Sequence, residues 1–210
     1  PQLPNKFLFF ALHYQPEATT SPSAGHYVDQ LLVIDMILNV IPPDVKLVVK
    51  EHPSQFLKIS EGTQGRSDAF YDDLFSKGDR LHVAPVDADV NTIMLQSLGV
   101  ITLTGTIGFE AIANNIPAIV FGRSWYEGAP NVYKVNNKKE VTAVIEKILH
   151  TENQKIQEDN LSFWLNKRSR SFVFSTPCGS YFRRSTRSKE EAITNLSLAI
   201  SEHVHEKLKT

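Results

Sequence analysis

Cysteine is nearly absent: Cys178 is the single one in 210 residues. That excludes a disulfide framework and a zinc site built on thiolates, and a reducing, cytoplasmic setting is expected. No run approaches the ~20 consecutive apolar residues of a membrane-crossing helix, and no charged-then-apolar leader opens the chain. An excess of one charge is lacking too, with 22 Lys and Arg against 23 Asp and Glu for a formal net of −1. This balance excludes a generally basic nucleic-acid binder, so no nucleic-acid partner is expected. What is present is 41% hydrophobic and 21% charged residues, which excludes a disordered chain and a coiled coil. The length corresponds to one domain, or one and a part, at roughly 150 residues per domain. The chain starts at Pro1 without a methionine, as a piece of a longer protein would.

Short apolar runs alternate with helix-period segments over residues 1–150. Strands are predicted over Lys6–Leu12, Lys46–Lys50, Leu81–Ala84, Val100–Leu103 and Ala118–Phe121, with a sixth over Val132–Val135. Helices are predicted over Tyr27–Val40, Asp89–Leu98, Ile107–Asn114 and Lys138–His150. Strand and helix in strict alternation with short connections predict an α/β fold, a Rossmann-like parallel sheet flanked by helices. Residues 151–210 are expected to form a basic helical tail packing on or beside that domain. From Asn160 to Lys189 there is no acid but there are seven cations, Lys167, Arg168, Arg170, Arg183, Arg184, Arg187 and Lys189. These can meet anionic lipid headgroups, as peripheral contact at an inner membrane face, or form a solvated surface or seam. A last helix is predicted over Glu190–Leu208, with Ile193, Leu196, Ile200 and Val204 in one stripe.

In parallel sheets, ligands bind outside the carboxyl ends of the strands, so the loops after the strands carry the candidates. Thr104-Gly105-Thr106-Ile107-Gly108-Phe109-Glu110-Ala111 follows a strand and opens a helix. Gly105 permits a tight turn and close approach of a ligand to the backbone. N–H groups at a helix start attract phosphate, the Thr104 and Thr106 hydroxyls add donors, and Glu110 is placed to accept ribose hydroxyls. The same residues also fit a plain strand-to-helix turn with Thr106 as N-cap and Glu110 as a favourable first-turn acid. A Walker lysine and a GxGxxG pattern are both missing, which argues against an NTPase loop and a nicotinamide dinucleotide. After the second strand, Lys50-Glu51-His52-Pro53 offers a histidine able to donate to a phosphate oxygen, or simply a surface histidine at a strand end. After the first, His13-Tyr14-Gln15-Pro16-Glu17 brings out Glu17 as base, nucleophile or sugar-hydroxyl acceptor, or else as loop punctuation. Trp125-Tyr126 can stack on a base or sugar, or fill core. Asp87-Ala88-Asp89 has the look of a metal-binding triplet, but it precedes a helix and N-capping accounts for it. His203 and His205, two apart on a helix, make a poor metal pair. No metal site and no cofactor are expected.

Taken together, HYQPE, KEHP and TGTIGFEAIANNIPAIVFG with a following WY resemble the bacterial capsule polysaccharide synthesis proteins. These are glycosyltransferases of the two-Rossmann-domain GT-B type, and they include transferases that add Kdo from a CMP donor. The resemblance covers roughly residues 7 to 150, and its third motif is the most specific. It implies the C-terminal, donor-binding half of such an enzyme, acting on a nucleotide-sugar, a CMP-linked acidic sugar first, and a saccharide or lipid-linked acceptor. It also implies roles. His52 contacts the donor phosphate and Lys50 adds positive charge. Thr104, Gly105 and Thr106 cradle the phosphate, with Gly108 in the same motif. Glu110 holds the ribose, and Gln15 and Glu17 lie near the reacting sugar; Trp125 joins the substrate-binding set on its own chemistry, as a ring that can stack. His52 and Glu17 are thus the catalytic candidates. A GT-B enzyme needs a second Rossmann domain for its acceptor, which 210 residues cannot hold, so an N-terminal acceptor domain is expected to be missing from this chain, either preceding Pro1 or lost by this protein. Two alternatives stand beside this reading. One is a nucleotide-sugar 2-epimerase-like enzyme, although these usually carry Ser-Gly-Gly where this chain has Thr104-Gly105-Thr106. The other is a non-catalytic nucleotide-sugar-binding module.

Overall fold

A computed structural model describes residues 2–17, 20–57, 62, 65–151, 156–160, 162–163 and isolated positions between 188 and 201. The chain divides into two units, Pro1–Phe163 and Trp164–Thr210.

The first unit holds six parallel strands: β1 (Phe7–Ala11), β2 (Lys46–Lys50), β3 (Leu81–Ala84), β4 (Gly99–Thr102), β5 (Ala118–Val120) and β6 (Val132–Lys134). Their order is β3-β2-β1-β4-β5-β6, a doubly wound Rossmann-like sheet. β1 lies at the centre, with Phe9 opposite Val48 of β2 and Val100 of β4. A strand covered on both faces has no solvent side, which is why FLFFA reads as an unbroken apolar run. Leu8 and Phe10 face one layer, formed by α1 (Gln30–Leu38), α2 (Asp68–Ser76) and α5 (Lys138–His150) through Ile34, Ile37, Leu74, Val141 and Ile145. Phe7 and Phe9 face the other, formed by α3 (Val90–Gln96) and α4 (Ile107–Ala113) through Ile93, Met94 and Ala111.

Helix starts follow local chemistry. Asp29, Ser67, Asp89 and Asn137 each accept a backbone N–H at the first turn of α1, α2, α3 and α5. The cap at Asp29 splits the segment predicted as one helix over Tyr27–Val40: Gly25–Val28 is a separate 3₁₀ turn and α1 begins at Gln30. No helix was predicted where α2 lies. Its signal was present, with Ser67 as N-cap and Phe70, Tyr71, Leu74 and Phe75 at helical spacing.

The first unit runs past residue 150. Ile156 is buried, and buried Asn160 donates to the Ile112 carbonyl at 2.9 Å while accepting from Asn131 at 3.1 Å. In the second unit, Ser188 and Glu191 exchange reciprocal bonds, Glu191 N–H to Ser188 Oγ at 3.1 Å and Ser188 N–H to the Glu191 carboxylate at 2.9 Å. This capping box opens the helical residues described between 190 and 201. The cations Lys167 to Lys189, Cys178, His203, His205 and the stripe Ile193, Leu196, Ile200 and Val204 lie outside the described residues. Among the described residues, no helix is long and apolar enough to cross a membrane.

Candidate functional site

Sheet order decides where a ligand can sit. The connections from β1 and β4 turn to opposite sides, so a crevice opens at the carboxyl ends of these two neighbours. It is a cleft of about 940 Å³. Its lining includes His13, Tyr14 and Glu17 from the β1 exit, Lys50, Glu51 and His52 from the β2 exit, and Thr104, Gly105, Thr106, Glu110 and Trp125 from the β4 side.

The β1 exit is held by its backbone. Gln30 accepts from His13 N–H at 2.8 Å and donates to His13 C=O at 3.1 Å. Gln55 does the same for Gln15, accepting from its N–H and donating to its C=O, both at 2.9 Å. Two buried glutamine amides thus replace the ladder bonds this segment loses on leaving the sheet. The His13 ring crosses to β4, where Nε2 lies 2.9 Å from Thr102 Oγ1 and accepts from Leu103 N–H at 3.1 Å. On its other side Nδ1 is 3.6 Å from Glu17 Oε2.

At the β2 exit, Lys50 is buried and its ammonium donates to the Val86 carbonyl at 2.7 Å. Burial pushes the amine below its ordinary pKa, against the pull of Asp87 and Glu51. Glu51, also buried, accepts from His52 N–H and from Arg66 Nε, both at 2.9 Å, and from the Tyr71 hydroxyl at 3.2 Å. His52 stands at the cleft mouth. Its Nδ1 accepts from Ser54 N–H at 3.1 Å, which leaves Nε2 as the protonated, donating nitrogen of the neutral ring. Partial loss of solvent lowers its pKa, and the nearby Glu17 and Glu51 only partly restore it.

On the β4 side, Gly105 N–H donates to Thr102 Oγ1 at 3.1 Å. A β-carbon on Gly105 would lie 2.9 Å from that oxygen and 3.1 Å from His13 Cε1. The glycine therefore clears the floor of the site, a packing reason in addition to the ligand approach expected from sequence. Thr106 occupies the N-cap position of α4 but makes no side-chain capping bond, so the simple N-cap role does not apply. Glu110 is exposed at the first turn of α4. The Trp125-Tyr126 pair splits. Trp125 is 70% exposed and packs on Phe109 with centroids 4.6 Å apart. Tyr126 is buried and donates to Gly105 C=O at 2.5 Å, and burial pushes its hydroxyl up to about 12.

The fold thus gathers Glu17, Lys50, His52, Thr104, Gly105, Thr106, Glu110 and Trp125 around one cleft. Two expected site residues do not line it. Gln15 is buried and spends its amide on Thr20 Oγ1 at 2.8 Å. Gly108 is buried under Tyr126, whose Cε2 and Cζ would lie 2.9 Å from an added β-carbon. Asp89 caps α3 by accepting from Thr92 N–H at 2.8 Å, in keeping with its capping role. Among the described residues, no three His, Cys, Asp or Glu side chains group as metal ligands. Sequence reasoning missed Gln30, Gln55, Arg66 and Tyr71, whose partners are up to 53 residues away. The one available signal was Glu51 beside His52, an acid at the end of a buried strand.

Residues 20–144 match the model of the family described as capsule polysaccharide biosynthesis protein. The chain belongs to that family. The matched span includes the β2 exit, the Thr104–Ala111 turn and Trp125, and starts just after the HYQPE loop. None of the curated proteins matches the chain. Among solved structures, the family member resembles UDP-GlcNAc 2-epimerase from Methanocaldococcus jannaschii with TM-score 0.51 and 13% identity, over 72% of this chain and 41% of that one. It also resembles the spinosyn rhamnosyltransferase SpnG complexed with thymidine diphosphate, with TM-score 0.50 and 14% identity, over 77% of this chain and 43% of that one. KpsC of Thermosulfurimonas dismutans, a β Kdo 2,7 transferase, aligns with TM-score 0.47 and 16% identity, over 69% of this chain and 46% of that one. The chain spans about two fifths of the length of the first two. These likenesses are likenesses of fold.

Proposed function

We propose that this family member is the donor-binding half of a glycosyltransferase that builds capsular or other surface polysaccharide, and that a nucleotide-sugar occupies the β1/β4 cleft. The observation that carries this reading is the meeting of Glu17, Lys50, His52, Thr104–Thr106 and Glu110 at one sheet crevice. Each has a role that fits the chemistry. Sugar transfer from a nucleotide breaks the anomeric C–O bond and leaves negative charge on the phosphate. The His52 Nε2–H and the Thr104 and Thr106 hydroxyls supply donors for that charge. The Lys50 ammonium, held in the wall, adds a fixed positive field. Glu110 accepts ribose hydroxyls, Trp125 offers a ring face for the base, and Glu17 stands by the reacting sugar. No step calls for a metal ion. A nucleoside diphosphate in SpnG, and UDP with UDP-GlcNAc in the Methanocaldococcus epimerase, accord with nucleotide binding on this fold. A CMP-linked acidic sugar is the first donor to try. The acceptor, a saccharide or lipid-linked chain, is then held by a second domain.

Calorimetry against CMP, UDP, GDP and dTDP tests the reading, with His52→Ala and Glu110→Ala alongside. One nucleotide should bind, and each variant should weaken it by about tenfold, roughly one charge-assisted hydrogen bond. Absence of binding to all four, or variants that bind like the parent, would remove the donor site from this cleft.

A further inference from the structure

We propose that His13 is a positioning residue: its bare Nε2 holds the floor of the Gly105 turn while its Nδ1–H faces the Glu17 carboxylate. The tautomer follows from the donors around the ring. Leu103 N–H points at Nε2 from 3.1 Å, and a backbone N–H needs a lone pair to bond to. Nε2 therefore carries no proton, and in the neutral ring the proton sits on Nδ1. The Thr102 hydroxyl, 2.9 Å away, then donates to Nε2 and is left to accept from Gly105 N–H at 3.1 Å. This chain of bonds runs from His13 through Thr102 to Gly105 and links the two strand exits that bound the crevice.

The ring has little freedom to do otherwise. Only 8% of His13 is exposed. Its own N–H and C=O are gripped by Gln30, and the same C=O accepts from Arg66 Nη2 at 2.9 Å. Gly105 leaves just enough room, since a β-carbon there would press on His13 Cε1 at 3.1 Å. The second ring nitrogen faces Glu17 Oε2 at 3.6 Å, so one rigid ring sets both the turn and the side of the carboxylate that meets an N–H dipole. The consequence for ligand binding rests on the donor-site reading above; the tautomer does not.

Ring-nitrogen NMR of the ¹⁵N-labelled chain, with the His13 signals assigned by substitution, reads the tautomer directly. The expected spectrum has a protonated Nδ1 and a bare Nε2 at neutral pH. A protonated Nε2 overturns the proposal. Two substitutions then separate the ring's two halves. In His13→Gln the amide oxygen reaches the place of Nε2 and still accepts from Leu103 N–H. In His13→Asn the amide nitrogen takes the place of Nδ1 and nothing reaches the turn. CMP or UDP affinity, whichever the parent binds, should fall about tenfold in His13→Asn and be restored to within about threefold in His13→Gln, as expected for one lost turn-holding bond. Equal losses in both variants, or none in either, overturn it, because a ring that merely fills space does not distinguish them. A parent that binds no nucleotide sinks the donor-site reading and leaves the ring-nitrogen spectrum to decide the strut.

Discussion

Arg66 Nε donates to Glu51 Oε2 across 2.9 Å, and each side chain is only 5% exposed. The same carboxylate receives His52 N–H and the same guanidinium reaches His13 C=O, so one buried ion pair ties the exits of β1 and β2 together. Breaking one side of such a pair leaves a buried, uncompensated charge. Arg66→Met is expected to cost about 3–5 kcal/mol in urea unfolding. Adding Glu51→Gln should recover a substantial part of that loss, because the stranded charge is removed. A single variant that unfolds like the parent would show that the pair is not holding the loops.

The Tyr126 ring packs against Gly108 and its hydroxyl bonds to Gly105 C=O, so one side chain meets both glycines of the β4 turn. Gly108→Ala is expected to cost about 1–3 kcal/mol by overpacking. Tyr126→Phe should cost about 1 kcal/mol through the lost hydrogen bond. Because the alanine methyl already displaces the ring, the double variant should cost less than the sum of the two. Additive losses in denaturant titrations would contradict the contact.

His52 should titrate below its ordinary 6.5, since partial desolvation is the larger influence on it. The unfolded chain then takes up a proton before the folded one does. Stability therefore rises with pH across the interval between the lowered value and 6.5, and the deficit is complete below that interval. The ring signals of His52, followed by NMR against pH and assigned with His52→Ala, check the direction. A midpoint above 6.5 would reverse it.

Tyr71 and Tyr126 are both pushed up to about 12, in each case chiefly by burial. Their protonated hydroxyls favour the fold fully below pH 10, and that contribution is lost as the pH rises through about 12. In an ultraviolet titration Tyr71 and Tyr126 should therefore ionise late, as should Tyr27, which burial also raises. Tyr71→Phe and Tyr126→Phe should each remove one late step. Ionisation of either near 10 would mean that its hydroxyl meets solvent.

Much of the framework was legible beforehand. β2, β3 and α5 begin and end where their residue patterns predict, because a buried parallel strand and a one-sided helix leave strong periodic traces. The β4 turn was legible for the same reason: a strand, a glycine and a helix start in immediate succession. α2 is poorly legible because its apolar residues lie between acids and beside a loop rich in polar residues, which dilutes the helical period. The family resemblance implies Gln15 beside the reacting sugar, whereas in the fold Gln55 and Thr20 on either side hold it in the wall.

The division between the two sources is physical. Alternation of strands and helices, the capping residues and the family to which the chain belongs are all written in local sequence, since propensity and periodicity act over a few residues. Which loops face one another is not local. It was decided by the sheet order, which sets β1 beside β4 although nearly ninety residues of chain separate them. That pairing lets the His13 ring meet Thr102 and Leu103, and the pairing of β1 with β2 on its other side lets Arg66 span from Glu51 to His13. Buried polar groups must find partners wherever the fold brings them, and no period in the sequence records where that will be.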